Sequence, residues 1–171
     1  MSIAILDLSN PNKGDVRYKH FIFKSGENHF QIEYLPLNIE SVRIHFQFNQ
    51  DSQIIKLLMA VDAIRRMKTR KDLKLDLFIP YFPGARQDRV CNIGESLSVK
   101  VYADIINSVG FNSVHIFDPH SEVTPALIND VVVHNNHGLV HKAMLDIASQ
   151  GGYFGKDIVF VSPDAGSNKK I

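Results

Sequence analysis

From about residue 51 onward the sequence predicts an α/β fold. The sheet is open and mostly parallel with helices on both faces, and an antiparallel strand pair precedes it. Three observations carry that reading. Short apolar runs such as "LKLDLFIP" at 73–80 alternate with segments of helical period. Pro and Gly stand at the boundaries, as at Pro80, Pro83 and Gly110. Polar clusters follow three of the apolar runs: "ARQDR" after 73–80, "DPHSE" after 112–117 and "PDAGSN" after 157–162. Ligands gather at such strand ends in sheets of this kind.

The elements can be justified in chain order. "SIAILDL" at 2–8 is a buried strand closed by the turn-forming "SNPNKGD". "YKHFIFKSGENHFQIEYLPL" gives two short strands around Ser25 and Gly26, and "SVRIHFQF" gives another. Across 51–68, Ile54, Leu58, Val61 and Ile64 recur at helical spacing, with Asn49 or Asp51 as the cap. "SLSVKVYADIINSVG" at 96–110 is a helix that Gly110 is suited to close. "NSVHIFDP" at 112–119 and "NDVVVHNN" are strands, "HGLVHKAMLDIASQ" is a helix, and "DIVFVSP" at 157–163 is a last strand. No internal repeat, low-complexity tract or long linker interrupts the pattern.

Composition narrows the function classes. The 171 residues suffice for one substantial domain, and 44% apolar with 22% charged residues is ordinary for a soluble globular chain. A net charge of +1, from 19 basic and 18 acidic side chains, argues against a nucleic-acid-binding protein, which needs a basic face. The single cysteine, Cys91, excludes an intramolecular disulfide framework and fits a reducing compartment. No run suits a membrane helix, and the N-terminus has neither a basic start nor a cleavage signal. The expected location is the cytoplasm.

Each polar cluster admits a chemical and a plain reading. Arg86 and Arg89 offer planar, permanently charged forks to phosphate oxygens, and Gln87 and Asp88 can donate and accept toward a base or ribose. The plain alternative is a solvated loop whose Arg and Asp side chains pair internally. Asp118, His120 and Glu122 share one short loop, in which Pro119 should hold Asp118 extended. They are either metal donors or structural polar groups. Asp164 either caps a following helix or approaches a metal–phosphate group, capping being the default.

Two further stretches mislead. "GGYFGKD" misplaces the first Gly of a P-loop and puts Asp157 where Ser or Thr should bind Mg²⁺. His137 and His141 stand four residues apart without an intervening Glu or an evident third ligand. No nucleophile signature is present, which argues against covalent catalysis.

Taken in order, the motifs resemble the N-terminal half of ribose-phosphate pyrophosphokinase, also called phosphoribosyl pyrophosphate synthetase. The stretches are "MAVDAIRRM" at 59–67, "PYFPGARQDR" at 80–89, "KVYADIINSVG" at 100–110, "DPHSE", and "VSPDAG" at 161–166. The resemblance runs from about residue 20 onward. It implies a phosphoribosyltransferase-like sheet, and transfer of the β,γ-diphosphoryl group of ATP to ribose 5-phosphate, giving phosphoribosyl pyrophosphate and AMP. It assigns Arg86, Gln87, Asp88 and Arg89 to the ATP site, and His120 and Asp164 to the Mg²⁺ that bridges the phosphates. The family's adenine loop, Phe-Ser-Asp-Gly-Glu, reaches a neighbouring subunit, so a homo-oligomer is implied. "FKSGE" carries over its Phe23 and Glu27, while Ser25 replaces the Asp.

The family also has a second, ribose-phosphate-binding domain with an Asp-Asp pair, a Thr-Gly-Gly-Thr run and a catalytic Lys and Arg. Neither the pair nor the run occurs in this chain. The expectation is a single ATP-side domain over 1–171, a truncated or partial form without a catalytic residue of its own and with doubtful activity alone. Two competing readings are a non-catalytic regulatory or assembly subunit, favoured by truncation, and a phosphoribosyltransferase, opposed by "ARQDR".

Overall fold

The computed structural model describes residues 2–67, 72–149 and 161. It divides into two units, 1–135 and 136–171. The first holds a five-stranded sheet in the order β1 (Ile3–Asp7), β4 (Ser41–His45), β5 (Lys74–Ile79), β6 (Ser113–Phe117), β7 (Val131–His134). Every neighbouring pair is parallel. β2 (Arg17–Ile22) and β3 (Asn28–Tyr34) form a separate antiparallel pair, as the sequence predicts. In the second unit α4 (His137–Ser149) is described, and the expected strand over 157–163 lies outside the described residues. Among the described residues no helix is long and apolar enough to cross a membrane.

Strand order follows chain order, and parallel crossovers are right-handed. The helices between the strands therefore cover the same face of the sheet, not both faces as expected, because the strand order never reverses. These are α1 (Ser52–Arg65), α2 (Ser98–Val109) and the short α3 (Val123–Leu127). The covered face is apolar. Val42, Ile44, Leu75, Leu77, Ile79, Val114 and Ile116 are buried in one core with Leu57, Ala60 and Ile64 of α1 and Val99, Ala103 and Ile106 of α2. Alternation in the strands and helical spacing in α1 and α2 thus describe the two sides of one contact.

Details differ from expectation at three places. Leu57 is fully buried, whereas Leu58 is only partly so, because the helix turns its 54–57–61–64 edge to the sheet. Asp51 occupies the N-cap position of α1 without a capping bond, since its carboxylate accepts the Tyr102 hydroxyl from α2 instead. α3 was not expected: it is a single turn, too short for periodicity to register. Gly110 closes α2 in the left-handed conformation (φ 66°), as expected, and Arg65 of α1 donates to the carbonyls of Val109 and Gly110.

The opposite face carries a polar chain that only register reveals. Asp76 pairs laterally with Ser113 and Arg43 with Asp76, which puts three strands' side chains in reach of one another. Ser113 Oγ donates to Asp76 (2.8 Å) and lies 3.0 Å from His115 Nε2, while His115 Nδ1 lies 2.8 Å from His134 Nε2. Burial lowers the pKa of His115, aided by the Arg43 and His134 charges and opposed by Asp76. Burial also lowers His45, which Asp7 opposes and Arg43 aids.

The folded chain therefore refuses protons that the unfolded chain accepts below the ordinary histidine value of about 6.5. Stability is complete above that value and declines as pH falls through it toward the folded-state values. Urea midpoints are expected to drop between about pH 7.5 and about pH 5.5. Combining His45→Gln with His115→Asn should remove much of the drop, and an undiminished drop would exclude these two residues as its source.

Candidate functional site

The loop that leaves β5 is built on Gly84. Ala85 N–H donates to the Phe82 carbonyl and Gln87 N–H to the Gly84 carbonyl, two successive tight turns. Gly84 has φ +70°, and a Cβ there would lie 2.9 Å from the backbone nitrogen of Val99 and 3.0 Å from the carbonyl carbon of Ser98. The turn is therefore seated on the first turn of α2. Phe82 and Ala85 are buried beside it, while Arg86, Gln87 and Arg89 emerge into solvent.

These emerging side chains line a cavity of about 490 Å³ together with Cys91, Glu95, Ser96 and Ser98. Ser98 is the first residue of α2, so the helix N-terminus opens onto the cavity and favours an anion there. Glu95 staples the far side of the loop, accepting from the Cys91 and Asn92 N–H groups and the Asn92 side-chain amide. Those bonds lower its pKa, the Asn92 side chain most, and keep it ionised.

Asp88 is engaged outside its own loop. Its carboxylate accepts the Ser121 hydroxyl at 2.7 Å, and this bond ties the β5 loop to the loop after β6. Among the described residues no ion pair or hydrogen bond engages the Arg86 or Arg89 guanidinium. The internally paired loop is thereby excluded. Ser121 sits in the predicted "DPHSE" stretch but carried no assigned role; only spatial proximity identifies it.

The second loop departs from expectation at Asp118, which is left-handed (φ 44°) rather than extended. Proline at the next position disfavours the right-handed helical region, and Asp tolerates the left-handed one. There its N–H donates to the His134 carbonyl at 2.7 Å, extending the β6–β7 pairing. His120 follows, exposed to solvent and adjacent to Ser121.

Phe23 and Glu27 stand elsewhere, on the β2–β3 turn, where Phe23 N–H donates to the Glu27 carbonyl (2.8 Å). Ser25 Oγ donates to Glu27 at 2.7 Å, and the Phe23 ring packs edge-on to Phe21. Neither Phe23 nor Glu27 lines the arginine cavity. Asp164 and the "GGYFGKD" stretch lie outside the described residues. His137 and His141 are exposed on α4. Among the described residues no group of three or more His, Cys, Asp or Glu is placed to hold a metal ion.

A family model described as the N-terminal domain of ribose phosphate pyrophosphokinase matches residues 15–110, from the hairpin through the arginine loop and α2. The chain belongs to that family. Ribose-phosphate pyrophosphokinase of Fusobacterium nucleatum is 28% identical over 155 residues, covering 86% of this chain and 45% of the relative. The chloroplastic ribose-phosphate pyrophosphokinase 2 of Spinacia oleracea is 32% identical over 160 residues, covering 90% of this chain and 37% of the relative. The chain thus spans less than half the length of these relatives. The crystal structure of phosphoribosylpyrophosphate synthetase from Mycobacterium smegmatis superposes with a TM-score of 0.75 at 16% identity, over 99% of this chain and 59% of the other. That likeness concerns the fold.

The seating of Gly84 is testable. Gly110→Ala adds a side chain in open space, so it should cost only the left-handed strain of about 1–2 kcal/mol. Gly84→Ala should cost about 1–3 kcal/mol more, from overlap with the α2 backbone. Chemical denaturation of both variants checks this, and equal losses would mean the turn is not held against α2.

Proposed function

We propose that this chain is the ATP-side part of a ribose-phosphate pyrophosphokinase, which transfers diphosphate from ATP to ribose 5-phosphate. The observation that carries the reading is a pair of guanidinium groups, uncommitted among the described residues, beside a helix N-terminus in a cavity of suitable size. Arg86 and Arg89 grip phosphate oxygens, and Gln87 hydrogen-bonds to the sugar or base. Asp88 acts from behind by fixing the loop to Ser121. The transfer needs phosphates held in line with an attacking hydroxyl and their charge neutralised, which this arrangement supplies for the nucleotide half.

His120 and Asp164 are the protein donors to Mg²⁺, which neutralises phosphate charge when it arrives with the nucleotide. Mg²⁺ is usually carried mainly by phosphates and water, so two protein donors suffice. Phe23 and Glu27 serve the adenine of a neighbouring copy. Exposed Phe21, Ile22 and Phe23, at 46%, 58% and 50%, give the hairpin tip a surface suited to that contact. None of the 171 residues matches the family's sugar-phosphate run, so ribose 5-phosphate is not assigned to residues of this chain.

Arg86→Ala should weaken Mg·ATP binding by about 1.5–3 kcal/mol, the range of a charge-assisted hydrogen bond, with the melting point nearly unchanged. His120→Ala should weaken ATP binding in Mg²⁺ and leave metal-free binding alone. Calorimetric titration with and without Mg²⁺ distinguishes these. Unchanged affinity of the Arg86 variant would remove the phosphate assignment, and equal losses in both buffers would remove His120 from the metal.

A further inference from the structure

A second cavity, of about 500 Å³, opens at the C-terminal ends of β1, β4 and β5, and its chemistry is opposite to that of the arginine cavity. Its floor is set by register. Asp7 lies beside His45 on β4, and His45 beside Phe78 on β5, so three neighbouring strands present these side chains in one row. Ser9, Gln47 and Tyr81 continue the wall beyond the strand ends.

Asp7 is a built acceptor. Its Oδ1 receives the Ser9 N–H (2.8 Å), the Ser9 hydroxyl (2.6 Å) and the Asn10 N–H (3.2 Å), all three on one oxygen. Burial alone would raise its pKa, but these bonds outweigh burial and lower it, so the group is a carboxylate at neutral pH. His45, whose pKa is lowered chiefly by burial, is a neutral ring beside it. The His45 and Phe78 rings stand 5.1 Å apart at 45°, an aromatic corner, and Tyr81 adds a half-exposed ring at the rim. Among the described residues no lysine or arginine lines the cavity. Lys56, whose pKa the Asp7 charge raises against the lowering by burial, donates to the Leu8 carbonyl at 2.6 Å.

The ligand must therefore be flat, must bring N–H donors to a carboxylate, and must carry no phosphate into the cavity. We propose that this cavity is a separate binding site for an uncharged nucleobase or nucleoside whose edge presents adjacent N–H groups, guanine being the best match. The base stacks against the aromatic corner and directs its ring N–H and exocyclic amine at Oδ2 of Asp7, the oxygen that the Ser9 and Asn10 bonds do not use, with Gln47 supplying a further amide. Size and location agree with small-molecule sites at strand ends. The inference rests on this cavity alone and is independent of the ATP assignment.

Guanosine and inosine are the probes, titrated by calorimetry and by chemical-shift mapping on the full 171-residue chain. Guanosine should bind saturably, and inosine, which lacks the exocyclic amine, should bind several-fold more weakly. Asp7→Asn should weaken guanosine at least about tenfold and erase the preference over inosine. Tyr81→Ala, at an exposed rim position that does not threaten folding, should weaken both nucleosides and decides the matter should Asp7→Asn unfold. Arg86→Ala and saturating Mg·ATP should leave guanosine binding intact. No saturable guanosine binding, displacement by ATP, or binding unaffected by Tyr81→Ala would each overturn the proposal.

Discussion

The close seat of Gly84 on the first turn of α2 is the constraint from which the site follows. A Cβ at that position would meet the Val99 and Ser98 backbone at 3.0 Å or less, so no larger residue allows the approach. Because the turn sits there, the side chains immediately after it surround the N-terminus of α2. The helix contributes partial positive charge from its unpaired N–H groups, and Arg86 and Arg89 add two full charges. Asp88, the one group in the motif able to neutralise them, is drawn off by Ser121. With the ionised Glu95 also lining the cavity, the two arginines still leave it net positive.

The same Asp88–Ser121 bond joins the loops after β5 and β6, which lie side by side because those strands pair in parallel. One bond serves two purposes: it engages the Asp88 carboxylate away from the arginines, and it ties the loop that carries His120 and Ser121 to the arginine loop. On the other side of β5 the strand ends carry a carboxylate and aromatic rings, and among the described residues no lysine or arginine lines the cavity there. The C-terminal edge of a single sheet therefore presents two electrostatic surfaces, one suited to phosphate and one that rejects it. The difference comes from which loop follows which strand rather than from any change in the scaffold.

Much of this was readable from the chain. Apolar alternation in "LKLDLFIP" and the period of 51–68 report burial directly, because each residue's own face decides its environment. Gly110 and the Ser25–Gly26 turn declare themselves by conformational need. Interactions that depend on a partner far along the chain did not show. Asp51 reads as a helix cap until Tyr102, 51 residues away, is found to claim its carboxylate. Asp76, Ser113, His115 and His134 look like isolated polar residues within strands until register aligns them. Asp118 reads as extended from Pro119 alone, and takes the left-handed alternative because the β6–β7 pairing uses its N–H.

The central claim is that the β5 and β6 loops form one nucleotide-binding surface. Hydrogen exchange with and without Mg·ATP tests it most directly, since protection reports each loop separately along the backbone. The account predicts that amide exchange slows in residues 84–98 and 118–123 together, with the β2–β3 sheet core unchanged. Protection absent from both loops, or confined to one of them, would contradict it.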